Sequence, residues 1–202
     1  MRLGVLDRGH RLRARLAIRV VPRVMGTALD DVALTSLYRP GLFGRPWLAL
    51  VRQVMLGPSG WTRGERELLA AFVSYRNRCR YCVGIHTGTA TILLGRPITS
   101  GLFDRWRSPD SGLTPRILTA FALLEGIGQD PAHIPETAVE RAMAEGLSED
   151  DIVDVLAVSF LFDLINRLAD AFGYSFGDEQ GRLAEAAALV RIAYKVPAVL
   201  LR

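Results

Sequence analysis

Residues 62–95 limit what this chain can fold into more than any other stretch. Thr62-Arg63-Gly64-Glu65 has the form of a capping box, in which the threonine hydroxyl accepts the amide three residues on and the glutamate reaches back. A helix starting there carries Glu67, Ala70, Ala71 and Ser74 on one face, since residues three and four apart are neighbours. Apart from the glutamate that face is small, so a second helix can approach closely. The spacing predicts that second helix from about Arg80 to Leu94, closed by Gly95 with Pro97 just beyond. Cys82 and His86 then lie one turn apart on it, with Cys79 one turn earlier at its entry. Gly84 and Gly88 leave further room for a close crossing, at some cost in helix propensity. A carboxylate, two thiols and an imidazole are thus led to one place between two helices.

Each of these groups has a chemistry that fits the others. The thiolate is the nucleophile, and an ordinary cysteine titrates near pKa ~8.5. The free amides at a helix N-terminus favour the anion, and Arg78 and Arg80 add positive charge. His86 can take the proton of Cys82 and Glu67 can orient the imidazole. On this spacing Cys82 is expected to be the more acidic thiol, and Cys79 is placed to close a disulfide on an oxidised Cys82. Other readings of the same residues are half of a zinc site, with His86 and Glu67 recruited as ligands, and a pair of inert buried thiols. Haem attachment is excluded, because Val83 stands where that pattern needs histidine.

The pattern Glu67, eleven residues, Cys79, two residues, Cys82, three residues, His86 resembles the signature of the alkyl hydroperoxide reductase D-like (AhpD-like) proteins of the carboxymuconolactone decarboxylase superfamily. Val73-Ser74 and Asn77-x-Cys79-x-Tyr81-Cys82 resemble its peroxidase-related branch. The likeness is strongest over residues 60–100 and returns at Asn166-Arg167-x-Ala169-Asp170. It implies an all-α, AhpD-like helical bundle and a thiol-dependent peroxidase or disulfide oxidoreductase. In that role Cys82 would attack a hydroperoxide, Cys79 would resolve it, and Glu67 and His86 would form the proton relay. It implies no cofactor and no metal. The partners would be a hydroperoxide substrate, an external dithiol reductant and further copies of the chain. Tyr81 stands where some members carry a second relay histidine, which implies a shorter relay here. A lactone decarboxylase of the same superfamily and a non-catalytic dithiol sensor are the alternatives. Members of the former usually lack the cysteine pair.

The remaining sequence is consistent with one helical domain over 1–202, with an N-terminal helical region (1–60) and a core carrying the cysteine site (61–202). Half of the residues are hydrophobic and 23% are charged, a globular balance. Two close cysteines are no secreted disulfide framework, and arginines interrupt every apolar run near the N-terminus, so the expected setting is cytoplasmic without a membrane span. The arginine-rich residues 1–21 are expected to form a helix that packs its leucines on the core and ends at Pro22, with nucleic-acid binding unlikely for want of interleaved aromatics. His133 is expected in a surface loop. Ser148-x-x-Asp151 caps the longest helix, on which Asp163 and Arg167 are spaced for a local ion pair, while the family likeness at Asn166 and Arg167 implies support of the site or a subunit contact.

Overall fold

The computed structural model describes residues 1–25, 29–129 and 136–195. Helices and turns make up these residues, without a strand among them. The helices are α1 (Gly4–Arg8), α2 (Leu12–Met25), α3 (Asp31–Tyr38), α4 (Arg45–Leu56), α5 (Arg63–Arg76), α6 (Arg80–Leu94), α7 (Ser100–Asp104), α8 (Pro115–Gln129), α9 (Glu136–Ala144), α10 (Glu149–Phe172) and α11 (Glu179–Ile192). The loop holding His133 and the apolar residues 196–201 lie outside the described residues. No described helix is long and apolar enough to cross a membrane.

Local chemistry places the main boundaries where the spacing puts them. At the head of α5 the Glu65 amide donates to Thr62 Oγ1 (3.2 Å) while the Thr62 amide donates to Glu65 Oε2 (2.8 Å). Ser148 and Asp151 close the same reciprocal pair at the head of α10 (3.1 and 3.2 Å). Gly95 (φ 65°) and Gly173 (φ 69°) end α6 and α10 in the left-handed region that a Cβ disfavours.

α5 is the axis of the molecule, buried from Arg66 to Ser74. Phe72 stacks face to face on Phe121 of α8 at 3.9 Å between centroids, and Phe103 and Trp106 meet the pair edge-on. Val155, Val158, Leu161 and Phe162 of α10 close one side of this core, and Val51 and Met55 of α4 join it. Burying each such side chain stabilises the fold by roughly 1.5–3 kcal/mol before entropy is counted. Trp61, at the entry to α5, is fixed by a hydrogen bond from Nε1 to the Asp151 carbonyl (3.0 Å) and by the Arg116 guanidinium 3.6 Å over its ring.

The N-terminal region departs from expectation twice. α2 runs through Pro22 to Met25, because one proline removes a single ladder donor and the helix ends within the next turn. Its inward residues are Ala14, packed with Leu37, and the buried Ala17, while Leu12 and Leu16 are exposed. Small residues allow α2 to lie close to α3, and the leucines are left on the outer side.

Candidate functional site

The α5–α6 pair brings together the four residues singled out by spacing. Ala70, Ala71 and Ser74 are fully buried, so the small face of α5 does receive its neighbour. Arg78 adopts φ 59°, a conformation that reverses the chain between the helices and delivers Cys79 as the N-cap of α6. The Cys79 amide donates back to the Ser74 carbonyl at 3.0 Å.

Glu67 is completely buried, and both of its oxygens are bound. His86 Nδ1 lies 2.7 Å from Oε2, and the Tyr194 hydroxyl donates to Oε1 at 2.8 Å. A carboxylate can only accept, so Nδ1 carries a hydrogen toward Glu67 and Nε2 is left for proton exchange. Phe162 stands edge-on to the imidazole at 4.6 Å and fixes its plane. No hydrogen bond joins His86 to Cys82 among the described residues, but both line one cavity of about 100 Å³, with Tyr194, Phe162 and Ile165 among its walls.

Both thiols are free and buried. Their acidities run against the expectation that Cys82 is the more acidic. A hydrogen bond from the Cys82 thiol, helped by the Cys82 amide, holds Cys79 below the ordinary cysteine value. Cys82 is pushed well above it, first by that same partnership with Cys79 and then by burial, while a hydrogen bond with Asn166 pulls the other way. The hydrogen bond between the two thiols is the largest cause at both.

Asn166 belongs to a polar chain behind the pair. Its Nδ2 donates to Ser74 Oγ (3.1 Å), and Asn77 Nδ2 donates to Asn166 Oδ1 (3.0 Å) and Asp163 Oδ1 (2.7 Å). Asp163 therefore holds the Asn77 turn, with Ser159 on its other oxygen, and does not pair with Arg167, which is exposed. No group of three His, Cys, Asp or Glu residues able to hold a metal occurs among the described residues. Glu67, the ligand a zinc site would have to recruit, already has both oxygens bound.

The glycines of α6 receive α11 rather than α5. A Cβ on Gly88 would come within 2.8 Å of the Ala186 Cβ, and one on Gly84 within 2.9 Å of the Phe176 ring. Arg63, in the first turn of α5, donates to the Val190 and Leu189 carbonyls near the end of α11 (2.9 and 2.8 Å). Glu185 of α11 accepts from Tyr81 Oη at 3.0 Å. Burial, and then the nearby Asp30, push Glu185 up to about 7. Asp30 is itself raised, mainly by burial, although it caps α3 through the Ala33 amide (2.6 Å). Tyr194, Asn166 and Glu185 thus join the site. Only Asn166 carries a sequence signal, the run Asn166-Arg167.

Two solved structures share this architecture. An uncharacterized peroxidase-related protein from Silicibacter sp. TM1040 matches with a TM-score of 0.67 at 24% identity, over 80% of this chain and 83% of its own. A protein from Ralstonia eutropha JMP134, described as an alkylhydroperoxidase AhpD core and an uncharacterized peroxidase-related protein, matches with a TM-score of 0.71 at 25% identity, over 90% and 93%. No family model and no curated protein matches the chain. The chain has the all-α AhpD-like fold.

Proposed function

We propose that the protein is a thiol-dependent peroxidase that reduces a hydroperoxide through Cys79 and Cys82 and is recharged by an external dithiol. The observation that carries this reading is the buried Glu67, which ties His86 to Tyr194 in the cavity that Cys82 also lines. A fully buried carboxylate holding an imidazole beside a thiol is an arrangement for moving a proton. The names of the two similar structures point to the same chemistry.

In this scheme Cys79, held below the ordinary cysteine value, ionises first, and the Cys82 thiol hydrogen bonds to it. When a hydroperoxide enters the cavity, the Cys82 proton passes to Cys79. The Cys82 thiolate attacks the terminal oxygen, the S–O bond forms and the O–O bond breaks. The departing alkoxide takes a proton from His86 Nε2, which holds the one that Cys79 released on ionising, its charge balanced by Glu67. Cys79 then attacks the sulfur of the sulfenic acid, closing the disulfide and releasing water. Two thiol sulfurs have been oxidised and the peroxide reduced to an alcohol and water, and a dithiol restores both thiols by exchange.

Peroxide consumption by the purified protein with a panel of dithiols, beside alkylation of each thiol against pH, tests the scheme. Wild type should turn over many times, which a sensor oxidised once would not. Cys82→Ser should lose turnover, and Cys79→Ser should accumulate sulfenic acid at Cys82. The thiol of Cys82 should also become more acidic in Cys79→Ser, because the largest cause of its elevation is gone. No consumption with any dithiol, or full turnover in Cys82→Ser, would sink the proposal.

A further inference from the structure

Helix α10 presents a face that the described residues leave uncovered. Val153 (60% exposed), Phe160 (62%) and Leu164 (41%) stand on it, with Ala157 between the first two. Asp150 and Arg167, both exposed and without an ion pair among the described residues, continue the row at its ends. The spacings from 150 to 167 are three, four, three, four and three residues, the rhythm by which one helix lies along another. Large apolar side chains set in such a row mark a contact surface.

The row also reads as its own complement when reversed. Positions 150 and 167, 153 and 164, and 157 and 160 share one midpoint. A second α10 laid antiparallel about that midpoint meets acid with base at both ends, valine with leucine, and alanine with phenylalanine. The small-against-large match lets the helices approach closely, and the two acids beside the seam do not oppose it. Asp154 is turned to Ser59, and Asp163 to Asn77 of its own subunit. A depression of about 370 Å³ beside Phe160 has an apolar wall of Val73, Leu124, Ile127 and Leu156 and a polar rim that includes Arg76, Asn77, Asp163 and Arg167, room for a side chain of the partner helix. We propose that α10 is a two-fold symmetric dimer interface whose occupant is the α10 of a second copy of this chain. Self-complementary charge selects that occupant, since a two-fold contact presents one patch twice. The apolar residues 196–201 carry no acid or base to answer Asp150 and Arg167. The proposal does not depend on the peroxidase reading.

Sedimentation of the full chain from about 1 to 100 µM tests it, because dimerisation is a mass-action equilibrium. Wild type should be dimeric and Phe160→Asp about 100-fold weaker or more, as for a central aromatic anchor. Asp150→Arg and Arg167→Asp should each weaken the dimer about tenfold by opposing like charges at both ends. An equimolar mixture of those two variants should recover wild-type affinity, since opposite charges then face each other again at both ends of the mixed dimer. Circular dichroism checks that the variants are folded, and if Phe160→Asp is not, the two charge variants decide. A wild-type monomer throughout, a dimer indifferent to these substitutions, or a mixture that does not recover would each overturn the interface.

Discussion

Two regions meet at Glu67, and they are built in opposite ways. The α5–α6 pair is local: its reactive groups lie within twenty residues, α5 starts at a capping box and α6 ends at a left-handed glycine, and its small residues lie where close packing needs them. The α11 region is remote and has no motif, yet it supplies the second ligand of Glu67, the cover over Gly84 and Gly88, and the acid beside Tyr81. The difference separates two tasks. Residues that react are set by spacing within one hairpin. Residues that hold the reacting groups still can come from anywhere the fold brings close.

The sharpest way to break this comparison is to remove one partner of each kind. Glu67→Gln should slow peroxide oxidation of the thiols by about 10²–10⁴-fold, the range of general acid–base catalysis. Tyr194→Phe should slow it by about 10- to 100-fold, because His86 remains paired and one hydrogen bond to a charged group, worth roughly 1.5–3 kcal/mol, is lost. Stopped-flow oxidation kinetics measures both, and equal losses would mean that α11 belongs to the chemistry as fully as α5.

A second test asks whether the cover is structural. Gly88→Leu forces a side chain against Ala186, whose Cβ a mere Cβ at position 88 would already meet at 2.8 Å. It should cost about 2–3 kcal/mol by overpacking, read as a loss of roughly 4–12 °C in melting temperature. Glu67→Gln, by contrast, should perturb rate far more than fold.

The smallest expected effect is a pH dependence. Glu185 is raised from an ordinary value of 4.5 to about 7 in the folded protein, first by burial and then by Asp30. The folded state therefore binds more protons than the unfolded state between these values, and stability falls as pH rises through them. The contribution is complete below 4.5 and gone above about 7. Melting temperature should thus drop by a few degrees more in wild type than in Glu185→Gln over that window, an effect trimmed by solvent screening. Parallel curves for the two proteins would remove Glu185 from the account of α11.

What could be read from the chain follows the same division. Thr62, Ser148, Gly95 and Gly173 announce their boundaries because caps act through bonds three or four residues long. Glu67, Cys79, Cys82 and His86 could be placed together because two capped helices with small faces leave them one meeting place. Tyr194 could not be placed, since nothing local distinguishes a tyrosine that reaches a carboxylate 127 positions away. The glycines of α6 showed that something packs closely there but not which helix. Helical spacing alone does not set the relative acidity of the thiols, because the hydrogen bond between them lowers Cys79 and raises Cys82.

The bond from Tyr194 to Glu67 also has a consequence in time. A ribosome adding about 5–20 residues per second needs roughly 6–25 s to pass from one to the other. During that interval the nascent α5–α6 hairpin carries its thiols without the carboxylate's second ligand and without the cover of α11. Each new molecule therefore spends its first seconds with these cysteines open to whatever oxidants and thiols surround it, so early protection of the pair falls to the cell rather than to the fold.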